Sequence, residues 1–350
     1  MEVLERKFEN GNKSFKIYRL INDNGMEVEI LSLGGVITKI LTPDRYGIFK
    51  NVVLELENLE DYYTNEAYRG AIVGRTAGRI GGGSITINGV RYDTTKNKDG
   101  STLHGGIEGF SKKIWGSEII KDDEFVGVKL NTKALDGEEG YPGNVDVEVI
   151  YKINNENKLI MEYSGTTDKT TVLNLTNHNY YNLSGNAERK VEGHILRING
   201  DKICEVGDEL IVTGNLLDVE GTPFDFRNEK ELGKDIKDFS NEQLLKGAGY
   251  DHMWILNNDK SPVITFRDPI SGRAMDIDTD ASTVVCYSMN FADGEKLSGG
   301  KKLEPRMGCC FETQSPAIGY NSEFIDESIL NPGETYKRKS VFRFYVIEEI

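Results

Sequence analysis

Histidine is the scarcest chemically useful side chain here, four in 350 residues, at His104, His178, His194 and His252. Two of them stand in polar, turn-rich surroundings: His104 in Ser101-Thr102-Leu103-His104-Gly105-Gly106, and His178 in Thr176-Asn177-His178-Asn179-Tyr180-Tyr181-Asn182. An imidazole ending a strand beside glycines is open to a ligand, because no side chain shields the backbone there. Any one such histidine, taken alone, is more often a hydrogen-bonded structural residue. His194 sits in an alternating stretch and reads as structural, while His252 directly follows Asp251, so one of that pair can work while the other supports. The 57 Asp and Glu are mostly solvated surface charge. Asp251, beside an aromatic and a histidine, and Glu312, in Cys309-Cys310-Phe311-Glu312-Thr313-Gln314, stand out by context. Desolvation at an apolar strand end raises a carboxyl pKa toward neutrality and makes Glu312 a usable base. The competing reading is an ion pair with Arg306 or another strand.

Several chemistries drop out. Gly74 to Gly83 is glycine-rich but lacks the Gly-Lys-Ser/Thr ending of a phosphate loop, and a hairpin rather than a helix follows it. There is no G-x-S-x-G elbow and no H-E-x-x-H, and no spacing suggests a metal. The four cysteines, Cys204, Cys286, Cys309 and Cys310, form no C-x-x-C; reduced thiols are expected, in a cytoplasmic protein. The charged N-terminus lacks the apolar stretch of a secretory leader, and no run approaches the ~18 apolar residues that cross a bilayer. With 42 Lys and Arg against 57 Asp and Glu the net charge is −15, which argues against nucleic acid or an anionic membrane as partner.

The elements that must position these residues are strands. Ser84-Ile85-Thr86-Ile87, Asn88-Gly89 and Val90-Arg91-Tyr92-Asp93 spell a hairpin with a type I′ turn. Residues 146–153, 158–163, 172–175 and 340–347 read as further strands by alternation. Helical period is confined to the neighbourhood of residues 59–63 and 239–245. With 38 glycines for turns and no dividing linker, the expectation is all-β: one large antiparallel β domain over residues 1–350.

Eight blocks, in order, resemble the galactose mutarotase (aldose 1-epimerase) family from about Val28 to Tyr336. They are Gly74-Arg75-Thr76-Ala77-Gly78-Arg79-Ile80, Leu103-His104-Gly105-Gly106, Glu138-Glu139-Gly140-Tyr141-Pro142-Gly143-Asn144, Thr176 to Leu183, Gly221-Thr222-Pro223-Phe224-Asp225-Phe226, Gly249-Tyr250-Asp251-His252, Glu312-Thr313-Gln314 and Pro332-Gly333-Glu334-Thr335-Tyr336. The resemblance implies a galactose mutarotase-type β-sandwich with the sugar in an open cleft on one sheet. By the same resemblance Glu312 is the general base and His178 the general acid, His104 lies near the ring oxygen, and Arg79 and Asp251 hold sugar hydroxyls. No cofactor and no metal are implied, the partner is a free monosaccharide such as galactose or glucose, and monomer and homodimer both remain open.

The implied reaction is anomer interconversion through the open-chain aldehyde. A base takes the C1 hydroxyl proton while an acid protonates the ring oxygen, and the ring recloses on the other face with roles reversed. Three positions depart from the family pattern: Gly78 stands where Asn is usual, Val285 aligns with a ligand-contacting Gln, and Ser315-Pro316-Ala317 replaces Phe-Pro-Asp. These direct attention to which aldose is used. A same-family epimerase for another aldose or sugar derivative, a non-catalytic carbohydrate binder and a glycoside hydrolase are the competing readings.

Overall fold

A computed structural model describes residues 1–292, 294–320 and 322–348. Every strand pairing within its sheets is antiparallel, as the alternating segments and turn residues predict. A nine-stranded sheet runs, in spatial order, Gly116–Lys121, Val126–Ala134, Val145–Ile153, Lys158–Thr167, Tyr336–Val346, Arg273–Thr279, Ile264–Arg267, Ile195–Ile198 and Lys230–Glu231. Val145–Ile153 shows why it lies flat on a core: its odd-numbered Val, Val, Val, Tyr and Ile are buried, and none of the intervening residues is.

A six-stranded sheet is stacked on it, in the order Tyr180–Tyr181, Cys309–Gln314, Thr283–Tyr287, Asp251–Ile255, Lys202–Val206 and Val212–Asp218. Aromatic side chains join the layers. Phe311 of the smaller sheet meets Phe266 of the larger at 5.1 Å between ring centroids, and Tyr181 stacks on Phe342 at 5.6 Å. A five-stranded sheet of the first 51 residues, Glu2–Asn10 to Phe49–Asn51, covers the other end of the large sheet. Leu20, Val28, Ile30 and Ile40 join Val128, Leu130, Val149 and Tyr151 in the same apolar cluster.

The hairpin forms at Ser84–Ile87 and Val90–Asp93, with φ of +52° at Asn88 and +77° at Gly89, as a type I′ turn requires. The two helical stretches are also found, a 3₁₀ turn at Leu59–Tyr63 and a six-residue α-helix at Glu242–Gly247 capped by Asn241. The expected strand over 172–175 is corrected. Only Thr171–Val172 is strand there, because Asn174 turns inward and its side chain bonds the backbone of Ser315 on both sides, donating to the carbonyl at 2.9 Å and accepting from the amide at 3.0 Å. All four cysteines are free and buried. No helix among the described residues is long and apolar enough to cross a membrane.

Candidate active site

Glu312 lies in the middle of Cys309–Gln314, a strand whose six residues are all buried. Alternation sends Cys309 and Phe311 into the core between the sheets and leaves Glu312 on the opposite face, where it lines a cleft of about 560 Å³. It is only 3% exposed. Arg306 is not its partner: that guanidinium is spent on Ser288 Oγ at 2.9 Å, the carbonyl of Ala248 at 2.6 Å and Asn290. Glu312 instead faces His178, with Oε1 3.4 Å from Nε2, and its Oε2 has no hydrogen-bond partner among the described residues.

His178 is brought there by the short pairing of Thr176–Asn177 with Ile72–Val73 and by the adjacent strand Tyr180–Tyr181. Its backbone is bonded on both sides, its N–H to the carbonyl of Ala71 at 2.9 Å and its carbonyl from the N–H of Gly70 at 3.0 Å. Asn177 locks the turn by donating to the carbonyl of Gly70 at 2.8 Å.

His104 is held more tightly still. Three successive residues, His104, Gly105 and Gly106, have φ of +50°, +90° and +108°, and a Cβ at Gly105 would lie 2.0 Å from the carbonyl oxygen of Gly74. Only glycine can follow the histidine there. Asn97 pins the loop through the backbone of Leu103 and Gly106. The N–H of His104 donates to Gly78 at 3.0 Å, and the N–H of Gly78 donates back to His104 Nδ1 at 3.2 Å. An Nδ1 that accepts must carry its lone pair, so the neutral ring holds its hydrogen on Nε2 and presents a donor.

That tautomer decides what the cluster can hold. His104, His178 and Glu312 place one ligand atom each within 4.8 Å of one another, a spacing close to what a metal ion takes. A ligating imidazole must offer a lone pair, and the nitrogen of His104 left after its bond from Gly78 is the protonated one. The set therefore fits oxygen-bearing organic ligands better than a cation. His104 and His178 meet edge to face at 5.1 Å.

Arg79 and Asp251 complete the lining. Arg79 pairs with Leu103 across a two-residue bridge, and its Nε is buried without a hydrogen-bond partner among the described residues. Asp251 begins the strand Asp251–Ile255, opposite Tyr287, while His252 supports it from behind by accepting the Asp251 N–H at 3.2 Å. His194 is structural, as expected: Nε2 accepts the N–H of Leu183 at 3.0 Å and the ring stacks on Phe266.

The electrostatics follow from burial. Desolvation first, then the negative charge of Asp251, push the Glu312 carboxyl up to about 8, against the pull of Arg79. Desolvation lowers His178 to about 4, and holds His104 well below the ordinary histidine value. Asp251 is raised for the same reason. A buried carboxyl carrying a proton beside a neutral imidazole is the one-proton form of an acid–base pair. Transfer across the 3.4 Å contact turns it into carboxylate and imidazolium.

All five residues singled out in the sequence thus line one cleft. Two neighbours had no sequence signal of their own. Tyr68 packs its ring on His104 at 4.8 Å and on His178 at 6.1 Å, and Arg69 lies over Tyr180 and is paired with Glu295. The positive φ of Tyr68, +55°, is visible only in the folded chain.

Gly78 and Ala317, two of the departures from the family pattern, touch. A Cβ at Gly78 would sit 2.5 Å from Cβ of Ala317, so one small space serves both positions. Val285 also lines the cleft and is directly opposite Glu312 in the sheet.

Comparison with known proteins agrees with the geometry. The sequence model of the family described as aldose 1-epimerase matches residues 16–343. The chain is 35% identical to the galactose mutarotase of Bos taurus over 329 residues, 93% of each chain. It is 34% identical to the aldose 1-epimerase of Haemophilus influenzae over 303 residues, 86% of each. Among solved structures, the galactose 1-epimerase of Lactobacillus acidophilus superposes with a TM-score of 0.89 at 28% identity, covering 99% of both chains. A GalM/aldose epimerase homologue from C. elegans gives 0.85 at 27% identity, covering 95% of this chain and all of that one. With nearly its whole length matched, the chain belongs to the aldose 1-epimerase family.

Proposed function

We propose that the protein interconverts the α and β anomers of a free aldohexose, galactose or glucose, with Glu312 and His178 as the acid–base pair. The observation that carries this reading is the 3.4 Å contact between Glu312 Oε1 and His178 Nε2 on the floor of the cleft. The hydroxyl and ring oxygens to be served are geminal on one anomeric carbon, so the groups that serve them must be neighbours. Glu312 takes the C1 hydroxyl proton as His178 gives one to the ring oxygen, the C1–O5 bond breaks, and rotation about C1–C2 presents the other face before closure. The Nε2–H of His104 supports the oxygen that gains electron density. Arg79 and Asp251 bind hydroxyls and hold the sugar while C1 turns. Each group returns to its starting state, so no cofactor and no metal take part.

The pair sets the pH dependence. Between about 4 and about 8 it holds one proton. Above that interval Glu312 loses the proton and no acid is left; below it His178 gains a second and no base is left. Polarimetry on freshly dissolved α-galactose should give a bell-shaped kcat/KM with limbs near these two values. A rate flat across the range would remove the pair from the mechanism.

Phosphorylated aldoses are disfavoured as substrates. Arg75 points into the protein, donating to the carbonyls of Pro142 at 2.7 Å and Gly143 at 3.1 Å, and the rim lysines Lys98 and Lys246 are paired with Asp99 and Glu242. Glu66, Asp208 and Glu209 add negative charge to the same rim. Residues 1–350 form one domain in this reading, working on a small sugar in the cytoplasm with neither nucleic acid nor membrane as partner, which the net charge of −15 supports.

Val285 sets part of the selectivity, since an alkyl side chain beside Glu312 offers no hydrogen bond to a hydroxyl. Val285→Gln should change the galactose-to-glucose ratio of kcat/KM by ~10-fold while leaving both pH limbs in place. An unchanged ratio would show that position 285 does not read the sugar.

A further inference from the structure

The strand that carries Glu312 presents a second side chain to the same imidazole. Residues i and i+2 of a strand share a face, so Cys310 stands beside Glu312, and His178 lies against both. Cys310 Sγ is 3.7 Å from Nδ1, and Glu312 Oε1 is 3.4 Å from Nε2. Both ring nitrogens are addressed from one strand. We infer that Cys310 is a positioning residue, whose sulfur takes the Nδ1–H of His178 and so reserves Nε2 for proton exchange with Glu312 and the sugar.

The chemistry of the pair requires such a partner. A protonated Glu312 has to face a ring nitrogen with a lone pair, and that nitrogen is Nε2. The neutral ring must then keep its hydrogen on Nδ1 through the whole cycle, with an acceptor in reach. Cys310 is fully buried and desolvation holds its thiol well above the ordinary value, so it stays uncharged. An uncharged sulfur is a weak acceptor. It fixes the ring without making it strongly basic, as a carboxylate in that place does in hydrolytic triads. The carbonyl of His178 itself is the other acceptor near the ring.

The remaining titratable and charged groups around the ring come from other elements. His104, Tyr68 and Tyr180 pack on it, and Arg69 and Arg79 oppose its protonation. Cys309, the next residue, is a built-in control: equally buried, it faces the core, with Sγ 3.6 Å from Cys286 Sγ.

The inference rests on His178 being the acid partner, and the test separates the two. ¹⁵N NMR of the His178 ring at neutral pH, in the wild type, Cys310→Ala, Cys310→Ser and Cys309→Ala, reads the tautomer without any turnover. The wild type should show hydrogen on Nδ1 and a lone pair on Nε2. Cys310→Ala should move population to the Nε2–H form, lower kcat by ~10-fold at unchanged KM, the scale of a lost orienting partner, and displace the acid limb. Serine should recover the tautomer and most of the rate, and Cys309→Ala should match the wild type in tautomer and limbs. A wild-type ring in the Nε2–H form, or a Cys310→Ala variant that behaves like Cys309→Ala, overturns the inference. Should alanine fail to fold at either position, Cys310→Val against Cys309→Val decides, since valine fills the space of cysteine without offering an acceptor, and equal tautomers and limbs in those two also overturn it. Full activity in His178→Asn would instead overturn the role on which the inference depends.

Discussion

Glu312→Gln should lower kcat for anomer exchange by ~10³-fold while KM for galactose stays within a few-fold of the wild type. The amide keeps the size and planarity of the carboxyl and can still bond a hydroxyl, so the cleft and the bound sugar persist. What it cannot do is accept a proton from C1–OH. The same substitution removes the group that burial and Asp251 push up to about 8, so the alkaline limb of the residual rate should vanish with it. Steady-state polarimetry over pH checks both parts together. A loss of less than ten-fold would mean that another group takes the hydroxyl proton. The carboxylate in the lining whose charge acts on Glu312 is Asp251, half-buried and itself raised.

His178→Asn should cost ~10²–10³-fold in kcat and erase the acid limb near 4. Asparagine can donate a hydrogen bond to the ring oxygen but cannot give up the proton, so the C1–O5 bond must break with charge left on the oxygen. On the proposed mechanism the loss is smaller than for Glu312, because the bond from Gly78 to Nδ1 leaves His104 with an Nε2–H to offer the same oxygen. Removing the ring leaves a void walled by Tyr68, Tyr180 and His104. Added imidazole should therefore restore part of the rate in His178→Asn and none in Glu312→Gln. A full-rate His178→Asn would place the acid elsewhere.

The parts of the fold legible in the sequence were those governed by local rules. The hairpin at Ser84–Asp93 is dictated by Asn88-Gly89, and Val145–Ile153 by its own alternation. The segment 172–175 misled because Asn174 interrupts an apolar run to bond Ser315, 141 residues away, and no local pattern encodes that. The site divides in the same way. His104, His178, Asp251 and Glu312 could be isolated from residue type and context, since a charged group in an apolar strand or a histidine before two glycines is locally conspicuous. Arg79 came only from the family resemblance; before folding it is one arginine among many.

Tyr68 and Cys310 were invisible as site residues. Their contact with the imidazole exists because a loop near residue 68 and a strand near residue 310 are both brought to residue 178. The pairing of Gly78 with Ala317 is a second case. Each was visible as a departure from the family pattern, and only the folded chain shows that the two share one space.

The central claim is that anomers exchange by opening the ring, with Glu312 and His178 moving the protons and no water attacking C1. NMR of α-[1-¹³C]galactose dissolved in ¹⁸O-enriched water, with and without the protein, tests it most directly, because the C1 signal reports both the anomer and the isotope attached to it. The account predicts α-to-β conversion far above the buffer rate with C1 keeping its original oxygen, and that acceleration lost in Glu312→Gln. No acceleration, or one labelled oxygen gained for each conversion, would contradict it.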